Sequence, residues 1–548
     1  MRFLKAFTLP FIIAVCLSIS ACDSTNGNQV IALSKVPAKL PVEILRIMSK
    51  PNYQGATWSL HLQDTVTGEV VYSQNSNQLL LIGSLRKLFS VATALEELGA
   101  DHRFVTTVHR VGNVDGAGVL NGDLVLRASG DVTMGLRRQP DGSMAISRID
   151  HNEALAVGTA VLTNTDALTA YHELAEKVVA SGITQITGEV IVDDRLFQPF
   201  DFRGQYMVTP AMVNENFVDV ACSPTTVGQP ATLEVRPQSA AFQVNSTVTT
   251  TAGTGRATIE VDPFLPACIG TPGCSGTVSG QLPIDGAPPV IETYPIVQNF
   301  RIVEPNNFAR TVFIEELEKA GVTVNALTVA ANPSAQLPAS NTLDATNQVA
   351  EYTSLPYSEY AKLILKVSFN LGADTTLIHF GLSQGVNNLA QALVVEKERL
   401  ESGFGLAPGT FDFVDGSGGG ETAATSASVA MVLQRMARST NAQVFREGLP
   451  RLAQDGTLEI IQGFLKDSTL TGAAGNVMAK TGTFATLSQN GLIALRARAM
   501  AGYIQTRSGR LLTFVLNVND AGEYQDFLDT VEVNEDLGTI SAIIWRDY

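Results

Sequence analysis

Residues 41–118 alternate between helical and strand-like patterns of apolar positions. Segment 41–50 has helical spacing, whereas residues 56–73 alternate apolar and polar positions on both sides of a turn at DTVTG, which predicts a β-hairpin. In LIGSLRKLF (81–89) and onward, apolar residues recur at helical spacing as far as Gly99, a residue type that often ends helices. The pattern therefore predicts a strand–turn–strand–helix unit.

The pattern changes between about residue 119 and residue 345. Short β-rich segments, separated by Gly, Pro and Asn turns, fill this stretch, and helical patterns interrupt them near 166–180 and 307–320. We therefore predict a β-rich inserted domain over 119–345.

Helical patterning returns after residue 346, and the chain then closes with strand-like segments. The helical segments are 357–383, 388–402 and 424–439, the strand-like segments are 476–483, 487–505 and 510–520, and a helix-like segment is 523–533. Helices in the middle and strands at both ends predict one sheet built from the two chain ends, with helices on its faces. The predicted fold is therefore α+β, with 41–118 and 346–548 forming one domain around the insertion.

The composition is that of a globular chain with more than one domain. Of its 548 residues, 45% are hydrophobic and 16% are charged, and the formal net charge of −16 argues against nucleic acid or an anionic membrane surface as a partner. The six histidines are scattered, none pairs with another at i, i+4, and there is no zinc-type Cys/His spacing and no P-loop. We therefore predict no metal ion and no cofactor.

The N-terminal residues have the pattern of an export signal. Two basic residues precede a short apolar run and then small residues before Cys22. ISAC (Ile19–Cys22) resembles the acylation signal of bacterial lipoproteins, which predicts a signal peptide over 1–21, a lipid anchor at Cys22 and a tether over 22–40. The alternative is an ordinary signal peptide in which Cys22 is incidental. Both interpretations predict a periplasmic protein.

Export places the other cysteines in an oxidising compartment. Cys268 and Cys274 close a short Gly/Pro-rich loop, and we predict a disulfide between them. Cys222 is then left over, either buried or paired with one of these two in another arrangement.

LIGSLRKLF holds a serine and a lysine three residues apart, Ser84 and Lys87. On a helix they lie on one face within reach of each other, and a neutral lysine can take the proton of a serine hydroxyl when desolvation lowers its pKa. By itself, the spacing is more typical of a polar helix surface. Arg86 points elsewhere on the helix, and we leave it out of the predicted mechanism.

Two further motifs favour catalysis. KTG occurs once, at Lys480–Gly482, at the end of a predicted strand, where a lysine and hydroxyls can bind a carboxylate and a glycine lets a substrate approach the backbone. Ser-x-Asn occurs three times, and the copy at Ser368 and Asn370 lies between the other two motifs, at a helix junction. Order and context therefore select Ser368 and Asn370.

Ser-x-x-Lys, Ser-x-Asn and Lys-Thr-Gly in this order are the signature of penicillin-binding proteins and serine β-lactamases. A long stretch separates the first two motifs, and residues from about 45 to 520 resemble the class C low-molecular-mass penicillin-binding proteins, the D-alanyl-D-alanine carboxypeptidase/endopeptidase family. Other stretches that look like this family are LEELGADHRFVTTV, NGDLVLRASGDVTM, ITGEVIVDDRLF, FVDGSGGG and LPRLAQDGTLE. The resemblance implies a transpeptidase-like domain, with an antiparallel sheet flanked by helices, and a large β-rich insertion.

The resemblance implies that Ser84 forms an acyl-enzyme by attacking D-Ala-D-Ala bonds, or D-Ala-meso-diaminopimelate cross-links, of peptidoglycan stem peptides, with Lys87 as its base. Ser368 would relay a proton to the departing D-alanine, with Lys480 tuning its environment. Asn370 would bind the substrate amide and help to hold Lys87. β-Lactam antibiotics would acylate the same serine.

The resemblance also assigns groups to the substrate's carboxylate and carbonyl. Thr481 and Thr483 would hold the terminal carboxylate beside Gly482, and the backbone N–H groups of Ser84 and Thr483 would form the oxyanion hole. Ser417, in an Asp-Gly-Ser-Gly sequence, would join the substrate-binding residues.

Asp193 and Phe197 resemble a family pocket for the free end of meso-diaminopimelate, although a turn carboxylate and a core aromatic are equally compatible with these residues. After Asp-Gly-Ser-Gly the family usually reads Leu-Ser-Arg, whereas this chain reads Gly419-Gly420-Glu421. Since an anion replaces a cation there, we expect a substrate whose third residue is amidated or otherwise altered, or a looser preference.

Two alternatives stay open from the sequence. A serine β-lactamase uses the same acylation chemistry but needs rapid deacylation, and a catalytically inactive, lipid-tethered peptidoglycan-binding protein would need no chemistry. The long insertion and the lack of an identifiable deacylating Glu argue against the first. The presence of every motif residue argues against the second.

Overall fold

The two ends of the chain meet in one six-stranded antiparallel sheet of the computed structural model, which describes residues 39–548. The predicted signal peptide, the acylation site at Cys22 and nearly all of the tether lie outside the described residues. Within 39–548, no helix combines the length and the apolar character needed to cross a membrane.

Helices are numbered in chain order. They are α1 (Val42–Met48), α2 (Arg86–Glu97), α3 (Ala154–Val157), α4 (Thr169–Ala180), α5 (Pro305–Lys319), α6 (Tyr357–Val367), α7 (Asn370–Ser383), α8 (Leu389–Ser402), α9 (Ser426–Arg438), α10 (Ala442–Gly448) and α11 (Val531–Asp547).

Strands are numbered in the same way. The first twelve are β1 (Thr57–Asp64), β2 (Val70–Gln74), β3 (Leu80–Leu81), β4 (Val105–Val114), β5 (Val119–Arg127), β6 (Gln185–Ile186), β7 (Val190–Asp193), β8 (Phe200–Phe202), β9 (Tyr206–Val208), β10 (Phe217–Ser223), β11 (Thr232–Arg236) and β12 (Gln243–Ser246). The next twelve are β13 (Thr249–Thr251), β14 (Thr258–Asp262), β15 (Ser275–Pro283), β16 (Ile296–Arg301), β17 (Thr323–Val324), β18 (Gln348–Thr353), β19 (Phe411–Asp412), β20 (Ala423–Ala424), β21 (Val477–Leu487), β22 (Ile493–Gln505), β23 (Leu511–Asn519) and β24 (Glu523–Tyr524).

The main sheet has the strand order β2-β1-β23-β22-β21, with β24 paired to β22. Successive side chains of a strand point to opposite faces, so β22 serves two hydrophobic cores. Met500 packs in the core that contains Leu537 and Ile540 of α11, whereas Ala499 and Ala501 pack in the core that contains α2 and α9. The prediction of one sheet from both chain ends, with helices on its faces, is confirmed.

The predicted helix over 523–533 is wrong. This segment holds β24 and a short 3₁₀ turn, and the helix that closes the chain, α11, begins at Val531. The apolar residues of α11, among them Val533, Leu537 and Ile540, are buried against the main sheet. The position of α11 along the chain is therefore set by the residues that are buried against the sheet, and not by the pattern of residues 523–530.

The inserted part is built on a second sheet of order β17-β6-β5-β4-β18, with β7 paired to β5. Three smaller sheets, β11-β10-β16, β12-β15-β13 with β14, and the two-stranded β8-β9, complete it. Since β4 and β18 pair with each other in this sheet, we propose that the insertion runs from about Val105 to Thr353, beyond the predicted limits of 119 and 345. Cys268 and Cys274 form the disulfide that the sequence predicts, and Cys222 is free and buried.

Candidate active site

The serine and the lysine of the first motif are in contact. Ser84 lies in a 3₁₀ turn, Gly83–Leu85, that leads directly into α2. The Nζ atom of Lys87 donates to Oγ of Ser84 at 2.8 Å and to Oδ1 of Asn370 at 2.7 Å. Lys87 is fully buried while Ser84 is half-buried, so the hydroxyl faces the surroundings and its base does not.

Burial lowers the pKa of Lys87 to about 8, because removing the ammonium from water disfavours the charged form. The carboxylates of Asp374 and Asp415 oppose this shift. Burial, together with the nearby charge of Asp415, also raises the pKa of Asp374. A lysine with a lowered pKa is neutral in a useful fraction of molecules near neutral pH and can accept the serine proton.

The second serine, Ser368, lies two residues before Asn370, which is a hydrogen-bond partner of Lys87. Ser368 separates α6 from α7 and has a left-handed backbone with φ of +62°, while Asn370 is the first residue of α7. The break between two helices places both side chains at a helix end rather than along a helix face. Ser368 and Asn370 are both half-buried.

Lys480 reaches this second serine from the edge strand β21. Its Nζ donates to Oγ of Ser368 at 2.9 Å and to the carbonyl oxygen of Thr481 at 2.8 Å. Burial, and then the positive charge of Lys87, hold the pKa of Lys480 well below its usual value. The structure thus brings together all five residues predicted to be catalytic.

Glycines let β21 approach the nucleophile's turn. Gly83 has φ of +49°, and a Cβ there would lie 2.5 Å from the carbonyl oxygen of Thr483. A Cβ at Gly482 would overlap the carbonyl oxygen of Ile82. The backbones of the KTG strand and of the Ser84 turn are therefore in direct contact, as two N–H donors of a shared oxyanion hole require.

The threonines of β21 have defined partners. Thr481 and Thr457 share a hydrogen bond between their hydroxyls at 3.0 Å, and Oγ1 of Thr483 accepts from Nη1 of Arg498 at 2.6 Å. Arg498 stands opposite Thr483 on β22 and is buried, and burial lowers its pKa to about 10. No sequence motif marks Arg498, which meets Thr483 only through the pairing of β21 with β22.

Ser417 contributes its backbone rather than its side chain. Its carbonyl oxygen accepts from Nζ of Lys87 at 2.7 Å, whereas its hydroxyl is buried without a hydrogen-bond partner among the described residues. Asp415 shapes this loop by accepting from the N–H groups of Ser417, Gly418 and Gly419.

Arg86 is fully buried and does not lie on an exposed helix surface. Its guanidinium forms a buried ion pair with Glu396 of α8 and donates through Nε to the carbonyl oxygen of Asp415 at 2.8 Å. The ring of Phe413 lies 4.2 Å from its Cζ. Arg86 was not predicted to take part in the mechanism, but its contacts hold the Asp415 loop against α2.

Asp193 and Phe197 have structural partners in the inserted part. Both carboxylate oxygens of Asp193 accept from the guanidinium of Arg195, at 2.7 and 2.8 Å. Phe197 is buried beside His379 of α7. Neither side chain contacts the five catalytic side chains, so their role in substrate binding stays a prediction.

A cavity of about 180 Å³ opens beside Asn370 and was not predicted. Its polar lining includes Glu153, Arg301 and Tyr206. Burial raises the pKa of Glu153, while the charge of Lys87 opposes this shift. No sequence motif marks Glu153 or Arg301, since both reach the cavity from the inserted part.

One group of acidic and histidine side chains within residues 39–548, Asp150, His151 and Glu215, is close enough to bind a metal ion. The guanidinium of Arg137 already bridges Asp150 and Glu215, with contacts from 2.5 to 2.9 Å. His151 also contacts Asp219 at 3.0 Å. The buried carboxylates are thus neutralised by protein cations, and this group does not fit a metal site.

Comparison with known proteins agrees with this geometry. The pattern of the D-Ala-D-Ala carboxypeptidase 3 (S13) family matches residues 41–535. A D-alanyl-D-alanine carboxypeptidase from an Actinomadura strain is 26% identical over 503 residues, which cover 88% of this chain and 82% of the relative. The crystal structure of penicillin binding protein 4 from Haemophilus influenzae superimposes with a TM-score of 0.64 at 17% identity, covering 92% of this chain and 98% of the other.

A second crystal structure of that Haemophilus protein, in complex with a β-lactam, gives a TM-score of 0.62 at 18% identity and covers 92% of this chain. At such identities these likenesses establish the fold, an α+β penicillin-binding domain joined to a β-rich part. The family pattern extends over all three motifs and over the residues in contact around Ser84. The chain therefore belongs to the D-Ala-D-Ala carboxypeptidase 3 (S13) family of serine peptidases.

Proposed function

We propose that Ser84 and Lys87 carry out the acylation step of a serine D,D-peptidase that acts on peptidoglycan stem peptides. Neutral Lys87 takes the proton of the Ser84 hydroxyl as Oγ attacks the carbonyl of the penultimate D-alanine. The N–H groups of Ser84 and Thr483 stabilise the negative charge that develops on the carbonyl oxygen. The contact between Nζ of Lys87 and Oγ of Ser84, at 2.8 Å with the lysine buried, carries this proposal.

Ser368 relays the proton that Lys87 took from Ser84 to the departing D-alanine amine: its hydroxyl gives its own proton to the amine and receives the one from Lys87, as the bond between the two D-alanines breaks. Lys480 donates to Oγ of Ser368, and this hydrogen bond orients the O–H group of Ser368. Asn370 accepts from Lys87 through Oδ1. The NH₂ group of its side chain therefore remains free to donate to the substrate's peptide. Water then attacks the acyl-enzyme and releases the shortened stem peptide.

Thr481 and Thr483 bind the terminal carboxylate, and Arg498 adds a positive charge behind Thr483. The carboxylate of a β-lactam occupies the same position, so that Oγ of Ser84 attacks the lactam carbonyl, the lactam C–N bond breaks, and the opened ring stays attached to the serine as an acyl group. The name of the Actinomadura relative supports the carboxypeptidase assignment.

The decisive experiment is the mass of the intact protein after incubation with benzylpenicillin. We expect the wild type to gain one penicilloyl group on the peptide that contains Ser84, and Ser84→Ala to gain none. Ser90→Ala, which changes a buried serine of α2 six residues after Ser84, is the matched control and should still be labelled. Covalent labelling of Ser84→Ala would contradict the proposal.

The rate of release separates this proposal from a β-lactamase. A D,D-peptidase keeps its penicilloyl group over many minutes, whereas a β-lactamase releases it rapidly and turns over. Hydrolysis of a D-Ala-D-Ala-terminated stem peptide, measured as released D-alanine, should be present in the wild type and absent in Ser84→Ala. Labelling without any release of D-alanine would favour an inactive binding protein.

We also propose that the protein is exported and anchored to a membrane through acylated Cys22. The support is the sequence of residues 1–22, with its basic start, apolar run and ISAC segment. The expected mature N-terminus is an acylated Cys22, detected by mass spectrometry. Cys22→Ala should release the protein from membranes into the periplasmic fraction, and retention of this variant in membranes would contradict the anchor.

A further inference from the structure

Lys87 is held by two elements that meet at Asp374. Its Nζ donates to Oδ1 of Asn370, the first residue of α7, and to the carbonyl oxygen of Ser417 in a neighbouring loop. Asp374 lies one turn after Asn370 on α7, and its Oδ1 accepts from the N–H of Gly416 at 2.8 Å. Asp374 therefore joins the helix that carries one acceptor of Lys87 to the loop that carries another.

The loop and the helix are in direct contact at this point. A Cβ at Gly416 would lie 2.5 Å from the carbonyl oxygen of Ala373 and 3.0 Å from Cα of Asp374. The carbonyl oxygen of Gly416 also accepts from Oγ of Ser90, on α2, at 2.9 Å. Because the backbones are packed this closely, the carboxyl group of Asp374 keeps a fixed position relative to Lys87.

The other carboxylate oxygen of Asp374 is bound from the inserted part. Tyr206 of β9 donates through its hydroxyl to Oδ2 of Asp374 at 2.7 Å. Both side chains are buried, and the ring of Tyr206 stacks on Phe202 with a centroid distance of 4.7 Å. A hydroxyl that donates to a carboxylate stabilises its charged form. The inserted part therefore helps to keep Asp374 ionised.

The two hydrogen bonds of this carboxyl group do not require a charge. An asparagine at position 374 could accept from Gly416 through its oxygen and donate to the oxygen of Tyr206 through its NH₂ group. The charge of Asp374 acts instead on Lys87, because among the surrounding carboxylates Asp374 raises the pKa of this lysine most. Asp415 also faces Asp374, and its negative charge opposes the ionisation of Asp374.

Other charged groups around Lys87 come from different elements. Asp415 in the loop and Glu153, just before α3, also raise the pKa of Lys87, whereas Arg86 on α2 lowers it. The positive charges of Lys87 and of Lys480 on β21 disfavour each other. All of these groups remain when Asp374 alone is changed, so a difference between the wild type and such a variant isolates the charge of Asp374.

We propose that Asp374 is a positioning residue of the acylation step, which fixes the two elements that hold Lys87 and whose negative charge sets the pH above which this lysine can take the proton of Ser84. This inference rests on the proposed peptidase function and adds to it a residue that acts through the lysine. Ionised Asp374 stabilises the ammonium form of Lys87, so the loss of its charge makes the neutral base available at lower pH. Tyr206 supports that charge, and the inserted part thereby takes part in acylation.

The experiment measures the rate of acylation by benzylpenicillin between pH 5 and 9 in the purified wild type and in Asp374→Asn. Each rate is expressed as a fraction of the plateau rate of the same protein at high pH. We expect the midpoint of the rise to move to lower pH by about one pH unit in Asp374→Asn, the lower end of the effect of an adjacent charge. A merely structural role would lower the rate by the same factor at every pH and leave the midpoint unchanged.

Tyr206→Phe tests the same step where Asp374→Asn does not fold. It removes the donor to Oδ2 and keeps the stacked ring, so Asp374 is more readily neutral and the midpoint should move in the same direction by a smaller amount. Asp131→Asn and Tyr360→Phe are the matched controls, because the hydroxyl of Tyr360 donates to the buried carboxyl group of Asp131 at 2.5 Å in the same way. Both controls should keep the wild-type midpoint.

Two kinds of outcome are distinguishable. An unchanged midpoint in Asp374→Asn, or in Tyr206→Phe where the first variant does not fold, would overturn the role of Asp374 while penicillin acylation still supports the peptidase. A midpoint that moves to higher pH, or an equal movement in the controls, would overturn it as well, since removal of a negative charge cannot stabilise an ammonium group. Absence of penicillin labelling in the wild type would contradict the peptidase itself, and this inference with it.

Discussion

Gly83 faces the backbone of Thr483 so closely that a Cβ on residue 83 would lie 2.5 Å from the Thr483 carbonyl oxygen. Gly83→Ala therefore has to push the KTG strand away from the nucleophile or move Ser84. We expect the variant to fold but to be acylated by benzylpenicillin at least about 100-fold more slowly, since displacements of about 1 Å cost that much. The measurement is the acylation rate of the purified protein.

Gly55→Ala is the control for backbone strain. Gly55 has φ of +89°, but a Cβ there would meet nothing within 4 Å. This variant incurs the cost of a left-handed alanine, about 1–2 kcal/mol, without the collision. It should be acylated at the wild-type rate, and equal slowing of both variants would show that the contact with Thr483 does not matter.

The acylation rate should depend on pH through Lys87. Burial lowers the pKa of Lys87 to about 8, and the neutral form is the one that accepts the serine proton. Below this pH the lysine is protonated, so the rate of penicillin acylation should fall about tenfold per pH unit, and above it the rate should level off. Rapid-mixing measurements between pH 6 and 9 test this.

Lys87→Arg replaces the titrating base with a side chain that stays protonated from pH 6 to 9. We expect its acylation rate to fall by about 10²–10⁴-fold. Lys397→Arg, at an exposed position of α8, is the control and should keep the wild-type profile. A rate that is independent of pH from 6 to 9 in the wild type would rule out Lys87 as the base.

We expect Arg498 to help bind the substrate's terminal carboxylate. Its guanidinium contacts Oγ1 of Thr483 at 2.6 Å and Oγ1 of Thr530 at 2.5 Å, and a lysine has no fork to span both. We expect Arg498→Lys to raise KM for a D-Ala-D-Ala-terminated peptide by about tenfold or more. The same peptide with a C-terminal amide should show no such change; an equal change for both peptides would mean that Arg498 acts through stability alone.

His151 should make the stability of the fold depend on pH. Although burial opposes its charge, the carboxylates of Asp219 and Glu215 raise the pKa of His151 to about 9 from the ordinary 6.5. Since the folded pKa is raised, this contribution to the free energy of unfolding is fully present below pH 6.5 and is lost as the pH rises through 9. The contribution is on the order of 3 kcal/mol, because each pKa unit between 6.5 and about 9 is worth about 1.4 kcal/mol.

Urea unfolding of the wild type and of His151→Gln checks this. The wild type should be the more stable of the two at pH 6.5, and its advantage should shrink by on the order of 3 kcal/mol by pH 9. The comparison isolates His151 because the lysines that titrate in this range are present in both proteins. A constant difference between the two proteins would contradict a charged His151.

Much of the fold follows from local patterns. The alternating positions of β1 and β2 and the helical spacing of α2 predicted these elements correctly, although β1 is buried on both faces and α2 is buried all round from Arg86 to Leu95. The start of the last helix, α11, was not predicted from the local pattern, because the residues before Val531 are similar in polarity to those of the helix. The limits of the insertion depend on the pairing of β4 with β18, two strands far apart in the sequence, and no local pattern reports such pairing.

The sequence by itself determined the chemistry of this protein: a serine with a lysine three residues on, a second serine with an asparagine, and a lysine beside threonine and glycine, in an order typical of one family. The tertiary structure decided which of these residues are buried and which side chains are in contact. It buried Lys87 and so lowered its pKa, it turned the carbonyl rather than the hydroxyl of Ser417 toward that lysine, and it brought Arg498 to the site. Long-range packing sets burial and contact, and residues that meet only through packing carry no motif.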